Sequence, residues 1–197
     1  MTTEEQKKKH ERSQRVYPQL NLSENEYVIS SVRRHPIGLV LPLMLGTVLI
    51  AFALSVLLNY NEIVNNLSLS GPLASVATVA LPILTFVAIV AFGMFVSYYV
   101  YTRNRFYLTN ECVIQDIQYS LLNHREQTAS LGSIEDASYT QNGIMQLMFN
   151  YGDIRLSTVG DETTYRMNFV ARPKECIATL NNAVESFKNG RSVDADF

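Results

Sequence analysis

Residues 37–58 read IGLVLPLMLGTVLIAFALSVLL, 22 positions without a charge. A helix of that length reaches roughly 33 Å, against about 30 Å for the hydrocarbon core of a bilayer. Residues 72–101 read PLASVATVALPILTFVAIVAFGMFVSYYVY, 30 uncharged positions, of which 76–98 would lie in lipid. Neither stretch has the polar face that a core helix of a soluble domain turns to water. In lipid only a helix pairs all its backbone groups within one segment, so both runs read as helices despite their valines. Pro42 and Pro82 lie inside them and predict bends. Gly46, Ala51, Ser55, Ala80, Ala88 and Gly93 are small enough to let two helices approach, but there is no GxxxG, so the pairing face stays open.

Charge sets the orientation. Lys7, Lys8, Lys9, Arg12, Arg15, Arg33 and Arg34 precede the first span, and Arg103 and Arg105 follow the second. The interval 59–71 has no Lys or Arg and carries only Glu62. The positive-inside rule then predicts a multi-pass protein of the plasma (inner) membrane, with both termini cytoplasmic and 59–71 as an outer loop. Tyr98, Tyr99 and Tyr101 would form the inner aromatic belt.

The flanking segments are polar. Residues 1–35 carry seven Lys/Arg and five Glu, and read as a cytoplasmic arm, solvated and without fixed structure. Lys7, Lys8, Lys9, Arg33, Arg34, Arg103 and Arg105 are the candidate contacts to lipid headgroups. Ser23–Glu26 has capping-box spacing, which predicts a short juxtamembrane helix before Pro36, with an extended segment as the other reading. A net charge of −2 gives no pull toward nucleic acid. Cys112 and Cys176 stand without CxxC or CxxH companions, so they read as buried small hydrophobes and not as metal ligands.

From 102 onward apolar residues alternate. Phe106 and Leu108, Ile154 and Leu156, Met167 and Phe169 recur at period two, which predicts sheets with one buried face. The strands expected are 105–109, 112–119, 124–131, 134–141, 153–159 and 163–170, with turns that include 109–110, 142–143, 151–153 and 160–161. Pro173 opens a helix whose apolar positions Cys176, Ile177, Leu180, Ala183, Val184 and Phe187 share one face before Gly190. The expected architecture is a membrane helical hairpin over 36–101 and an α+β, mainly-β cytoplasmic domain over 102–190. Residues 191–197 are expected as a disordered tail.

The ordered set YLTNECVIQD, HREQTASLGSIEDASYTQ and MFNYGDIRLST, with ENEYVISSVRRHP upstream, resembles the bacterial pleckstrin-homology-like membrane proteins over roughly residues 20–188. The resemblance implies two packed antiparallel sheets capped by a C-terminal helix, preceded by two transmembrane helices. It says little about activity, because one fold hosts many tasks. Relatives of this fold that bind phosphoinositides cluster Lys and Arg around the first strand pair. The turn matched to that position, Thr109–Cys112, carries Glu111 instead, which disfavours such binding.

Catalytic groups do not assemble in the sequence. His10, His35 and His124 are scattered, Glu135 and Asp136 would point to opposite faces of a strand, and no P-loop, GxSxG or HExxH is present. No catalytic residue, cofactor or metal is expected. The segment 143–149, GIMQLMF, is apolar where a hairpin turn is ordinarily polar. It reads either as a short helix sealing the mouth of the domain or as a contact surface. In the second case Ile144, Met145, Leu147, Met148 and Phe149 are candidates for touching a partner or the membrane. The expected function is a non-catalytic interaction or scaffold module at the inner membrane face. Its partners would be the bilayer and another membrane or cytoplasmic protein, or a second copy. An anionic-lipid sensor is the first alternative and a small membrane enzyme the second.

Overall fold

The computed structural model describes residues 3–159, 164–191 and 193. The chain forms two compact units, one from Met1–His35 with Thr102–Phe197 and the other from Pro36–Tyr101.

Among the described residues of the first unit, seven strands form two antiparallel sheets. β1 (Val28–Arg33), β2 (Arg105–Thr109), β3 (Cys112–Gln118) and β4 (His124–Ser130) lie in that order in one sheet. β5 (Ile134–Thr140), β6 (Tyr151–Thr158) and β7 (Thr164–Ala171) form the other. The period-two segments fold as strands because each has one buried face. Phe106, Leu108 and Val113 of the first sheet meet Ile154, Leu156, Met167 and Val170 of the second in one core. The closing helix, Pro173–Lys188, adds Ile177, Leu180 and Ala183 to it. Gly152 is demanded by packing, since a Cβ there would sit 2.5 Å from the carbonyl oxygen of Thr140.

β1 corrects the reading of the N-terminal arm. Residues 28–33 take the extended alternative, not the helix or the unstructured arm; they pair with β2 from Val28↔Thr109 to Arg33↔Arg105. The capping-box residues form a turn in place of a helix start. The Ser23 N–H donates to Glu26 Oε2 at 2.9 Å, but Asn25 adopts φ 67°, which no helical residue does. A bulge between Val28 and Ser30 shifts the alternation, so that Ile29 and Val32, three residues apart, both pack on the core face while Val28 packs on the other.

The arm ahead of β1 is structured as well, with helix α1 over Thr3–Val16. Residues 17–22 cover the outer face of the first sheet, burying Leu20 and Leu22 against Tyr107 and Ile114. At the other terminus Val193 is buried in the core and its carbonyl accepts from the Tyr27 hydroxyl at 2.6 Å. That residue is therefore not part of a disordered tail; 192 and 194–197 lie outside the described residues, as do 160–163 with the expected turn at 160–161.

The second unit is thus inserted between β1 and β2, and does not precede the domain. The first strand pair is joined through residues 34–104, and Thr109–Cys112 is the turn between β2 and β3. The inserted unit contains helix α2 (Ile37–Leu58), helix α3 (Tyr60–Asn66), a 3-10 turn at Gly71–Ala74 and helix α4 (Val76–Arg103). The expected outer loop is therefore partly helical, and the Tyr60 hydroxyl ties it together by donating to the Leu73 carbonyl at 2.6 Å. α2 and α4 are both long and apolar enough to cross a membrane. No side chain of α4 is buried, unlike the core helix of a soluble protein. Of the small residues weighed for helix pairing, Gly46 faces Met94, whereas Gly93 meets nothing. Gly38, which the sequence did not single out, faces Tyr101. These two contacts run the helices antiparallel.

A chain in which an Asn-Gly turn replaces residues 34–104 is expected to fold with β1 paired to β2. Omitting residues 1–33 as well should abolish cooperative melting. Equal thermal transitions for the two chains would contradict the assignment of β1. Leu156→Ala, at a fully buried core site, should cost about 2–5 kcal/mol in denaturant unfolding.

Candidate interaction surfaces

Glu26 is the polar centre of the first unit. Its side chain is 4% exposed, and a buried carboxylate is tolerated only when hydrogen-bonded. Oε1 accepts from the Thr109 hydroxyl at 2.7 Å and from the Cys112 thiol at 2.9 Å. Its carbonyl oxygen lies 2.6 Å from His10 Nδ1, and Ser13 Oγ of the same helix accepts from the Val28 N–H at 3.0 Å. α1 is thereby tied to the start of β1. The turn after β2 is tied there too, since Asn110 Oδ1 accepts from the Tyr27 N–H at 2.8 Å.

This network also decides what the thiols can do. Burial, reinforced by the hydrogen bond to Glu26, pushes Cys112 up to about 12. Burial alone pushes Cys176 up to about 11. Neither is a thiolate near neutral pH, so neither is an activated nucleophile. Both are half-buried free thiols, close to their expected role as small hydrophobes. Among the described residues no three His, Cys, Asp or Glu side chains gather as a metal site.

The basic residues proposed to meet headgroups fall into two groups. Lys7 and Lys8 are exposed on α1. Lys9 places its Nζ 5.3 Å from the centre of the Tyr27 ring, beside a groove of about 330 Å³ that Arg12 and Tyr17 also line. Arg33 and Arg105 face each other at the far end of β1, with Arg34 and Arg103 adjacent in sequence. The six residues of β1 separate the two groups by roughly 17 Å. Like charges directly opposite in a sheet repel. Asp116, the partner of Arg105 on β3, supplies a counter-charge and lies 3.2 Å from His124 Nδ1. Burial nonetheless raises the Asp116 pKa, although His124, Arg105 and Arg103 oppose the shift.

The segment 143–149 is helical, with α5 spanning Ile144–Met148, but it seals nothing. Ile144 is 79% exposed, Leu147 68% and Met148 70%, and Met145 and Phe149 are exposed too. Polar groups brace its base instead. Gln146 Oε1 accepts from the Asn142 N–H, and Gln141 Nε2 donates to the Tyr151 carbonyl at 3.0 Å. Tyr151 stacks on His35 with ring centroids 5.4 Å apart and on Phe169 at 5.8 Å. Asn150, Phe169 and Arg172 all have φ near +50°, a conformation that costs non-glycine residues energy.

A second exposed apolar element escaped the sequence reading. The turn between β3 and β4 carries Tyr119, Leu121 and Leu122, the last 98% exposed. It is held closed by the Tyr119 N–H donating to the Asn123 carbonyl at 3.0 Å. Asn104 brackets the start of this turn, its side chain donating to the Gln118 carbonyl at 3.2 Å and accepting from the Gln118 N–H at 3.0 Å. The run YSLLN between two strand patterns was the available signal.

The family model for the bacterial PH domain matches residues 37–184, about three-quarters of the chain, and the chain belongs to that family. The match takes in both long apolar helices and begins beyond β1. No curated protein and no solved structure matches the chain.

Glu26→Ala should destabilise the protein by roughly 2–4 kcal/mol, because it strands buried donors, and Glu26→Gln by less; thermal melting measures both. In the folded protein at pH 8, alkylation of Cys112 and Cys176 by iodoacetamide should be slow, with a Cys112 thiolate fraction of about 10⁻⁴. The rates should rise about tenfold per pH unit until the thiols titrate. Rapid labelling of both near neutral pH would contradict the burial described.

Proposed function

We propose that this protein is a membrane-anchored, non-catalytic interaction module. In this reading α2 and α4 cross the inner membrane as a hairpin. Residues 17–35 and 102–193 form one PH-like domain on the cytoplasmic side, and both termini are cytoplasmic. The observation that carries it is the insertion of two long apolar helices between two paired strands, β1 and β2. A polypeptide that leaves a domain at one strand and returns at its neighbour must run out and back, which two antiparallel spans accomplish. The distribution of Lys and Arg supports the orientation, since the interval 59–71 has none and both flanks have several.

The non-catalytic reading rests on the family and on two thiols held protonated by burial. The domain's work is then to bind another membrane or cytoplasmic protein, or a second copy, beside the bilayer. A sensor that reads anionic lipid through all seven basic residues at once is less well supported, because they sit at opposite ends of β1.

Alkaline carbonate washing of cell membranes should leave the chain in the pellet. A tag inserted near position 65 should be reachable from outside sealed cells, and tags at either terminus only after permeabilisation. Release of the intact chain by carbonate, or labelling of a terminal tag from outside, would overturn this proposal.

A further inference from the structure

We infer that the domain has a membrane-seating face of its own, formed by α5 and the β3–β4 turn, whose exposed apolar side chains enter the interfacial layer of the bilayer. This rests on the membrane reading above, which by itself requires only the two spans and leaves these elements unexplained.

The inference comes from where the exposed apolar residues lie along the chain. Tyr151, two residues beyond Phe149, stacks on His35, and the His35 N–H donates to the Phe169 carbonyl. His35 is two residues from Ile37, the start of α2, so at most about 7 Å of chain separates them. The start of β6, just beyond α5, is therefore held against a residue that lies two positions before the first apolar helix. The β3–β4 turn is pinned in the same way at the other crossing. Asn104 holds Gln118 at both backbone groups and directly follows Arg103, the last residue of α4. Of the exposed large apolar residues that the domain presents, these two groups each adjoin a point where the chain passes into an apolar helix.

The chemistry fits lipid as the occupant. Residues 137–152 carry no charge at all, whereas a docking patch for a soluble protein ordinarily has a polar, partly charged rim. Leu147, Met148 and Leu122 supply apolar area, Tyr119 and Tyr139 suit the headgroup level, and Arg33 and Arg105 face each other at the strand ends between the two crossings. Helices and turns of this kind lie in the interface plane with apolar side chains sunk to the acyl boundary. The base of α5 is braced by Gln141 and Gln146, which hydrogen-bond to the Tyr151 carbonyl and the Asn142 N–H, while its apolar residues stay exposed.

The chain contains no tryptophan, so single substitutions report one site each. The full chain is reconstituted in vesicles of phosphatidylcholine and phosphatidylglycerol, with or without brominated acyl chains, and tryptophan emission is recorded for L147W, L122W, F86W in α4 and E126W on β4. L147W and L122W should emit at blue-shifted wavelengths and lose a large part of their emission to brominated lipid, as F86W does, while E126W loses none. Met148→Glu introduced beside L147W should remove that quenching, which separates native seating from partitioning of the probe itself. If F86W is quenched but L147W and L122W behave like E126W, the seating face is wrong and the apolar elements are left to a protein partner. If F86W is not quenched either, the membrane reading fails and this inference falls with it.

Discussion

Pairing of β1 with β2 is the constraint on which the rest depends. These strands lie 71 residues apart in sequence, between Arg33 and Arg105, yet are direct partners in one sheet. Closing so long a connection costs chain entropy, but only logarithmically with length. Here the connection closes itself, because Gly38 meets Tyr101 and Gly46 meets Met94. The strand pair brings together the residues that flank the insertion, Arg33 and Arg105. A hairpin of helices is thus nested, in chain order, within a hairpin of strands.

Within the domain, the two faces of the first sheet are stabilised by different means. One face shares an apolar core with the second sheet and the closing helix, centred on Leu156, Met167 and Val170. The other is covered by residues 17–22 and held by Glu26, whose carboxylate gathers a hydroxyl, a thiol and a backbone N–H. The apolar core contributes most of the stability through burial. The polar centre gives specificity of a different kind, because each donor it holds would be stranded if α1 and the 17–27 segment docked elsewhere.

Much of this was legible in the sequence. Six of the seven strands follow from alternation together with turn signals, and α2, α4 and the closing helix follow from an absence of charge or from a 3.6-residue period. What the sequence hid has physical causes. VISSVR is too short and too rich in serine to alternate visibly, and the capping-box spacing before it serves a turn as well as a helix once Asn25 goes left-handed. The Glu26 node joins residues from positions 10, 26, 109 and 112, and only the β1–β2 pairing brings them together. GIMQLMF was conspicuous, but its exposure was not decidable from composition. A short apolar helix can plug a barrel or face outward, and here Gln141 and Gln146 turn inward to hold it while its apolar residues turn out.

The central claim is that β1 and β2, separated in sequence by the inserted helices, belong to one cooperative structure. Amide hydrogen exchange on the full chain, embedded in lipid nanodiscs, tests it most directly. Residues 28–33 should exchange as slowly as 105–109 on the far side of the inserted helices, and lose protection together with them as denaturant is added. Exchange of 28–33 at the rate of an unstructured arm, with 105–109 still protected, would contradict the account.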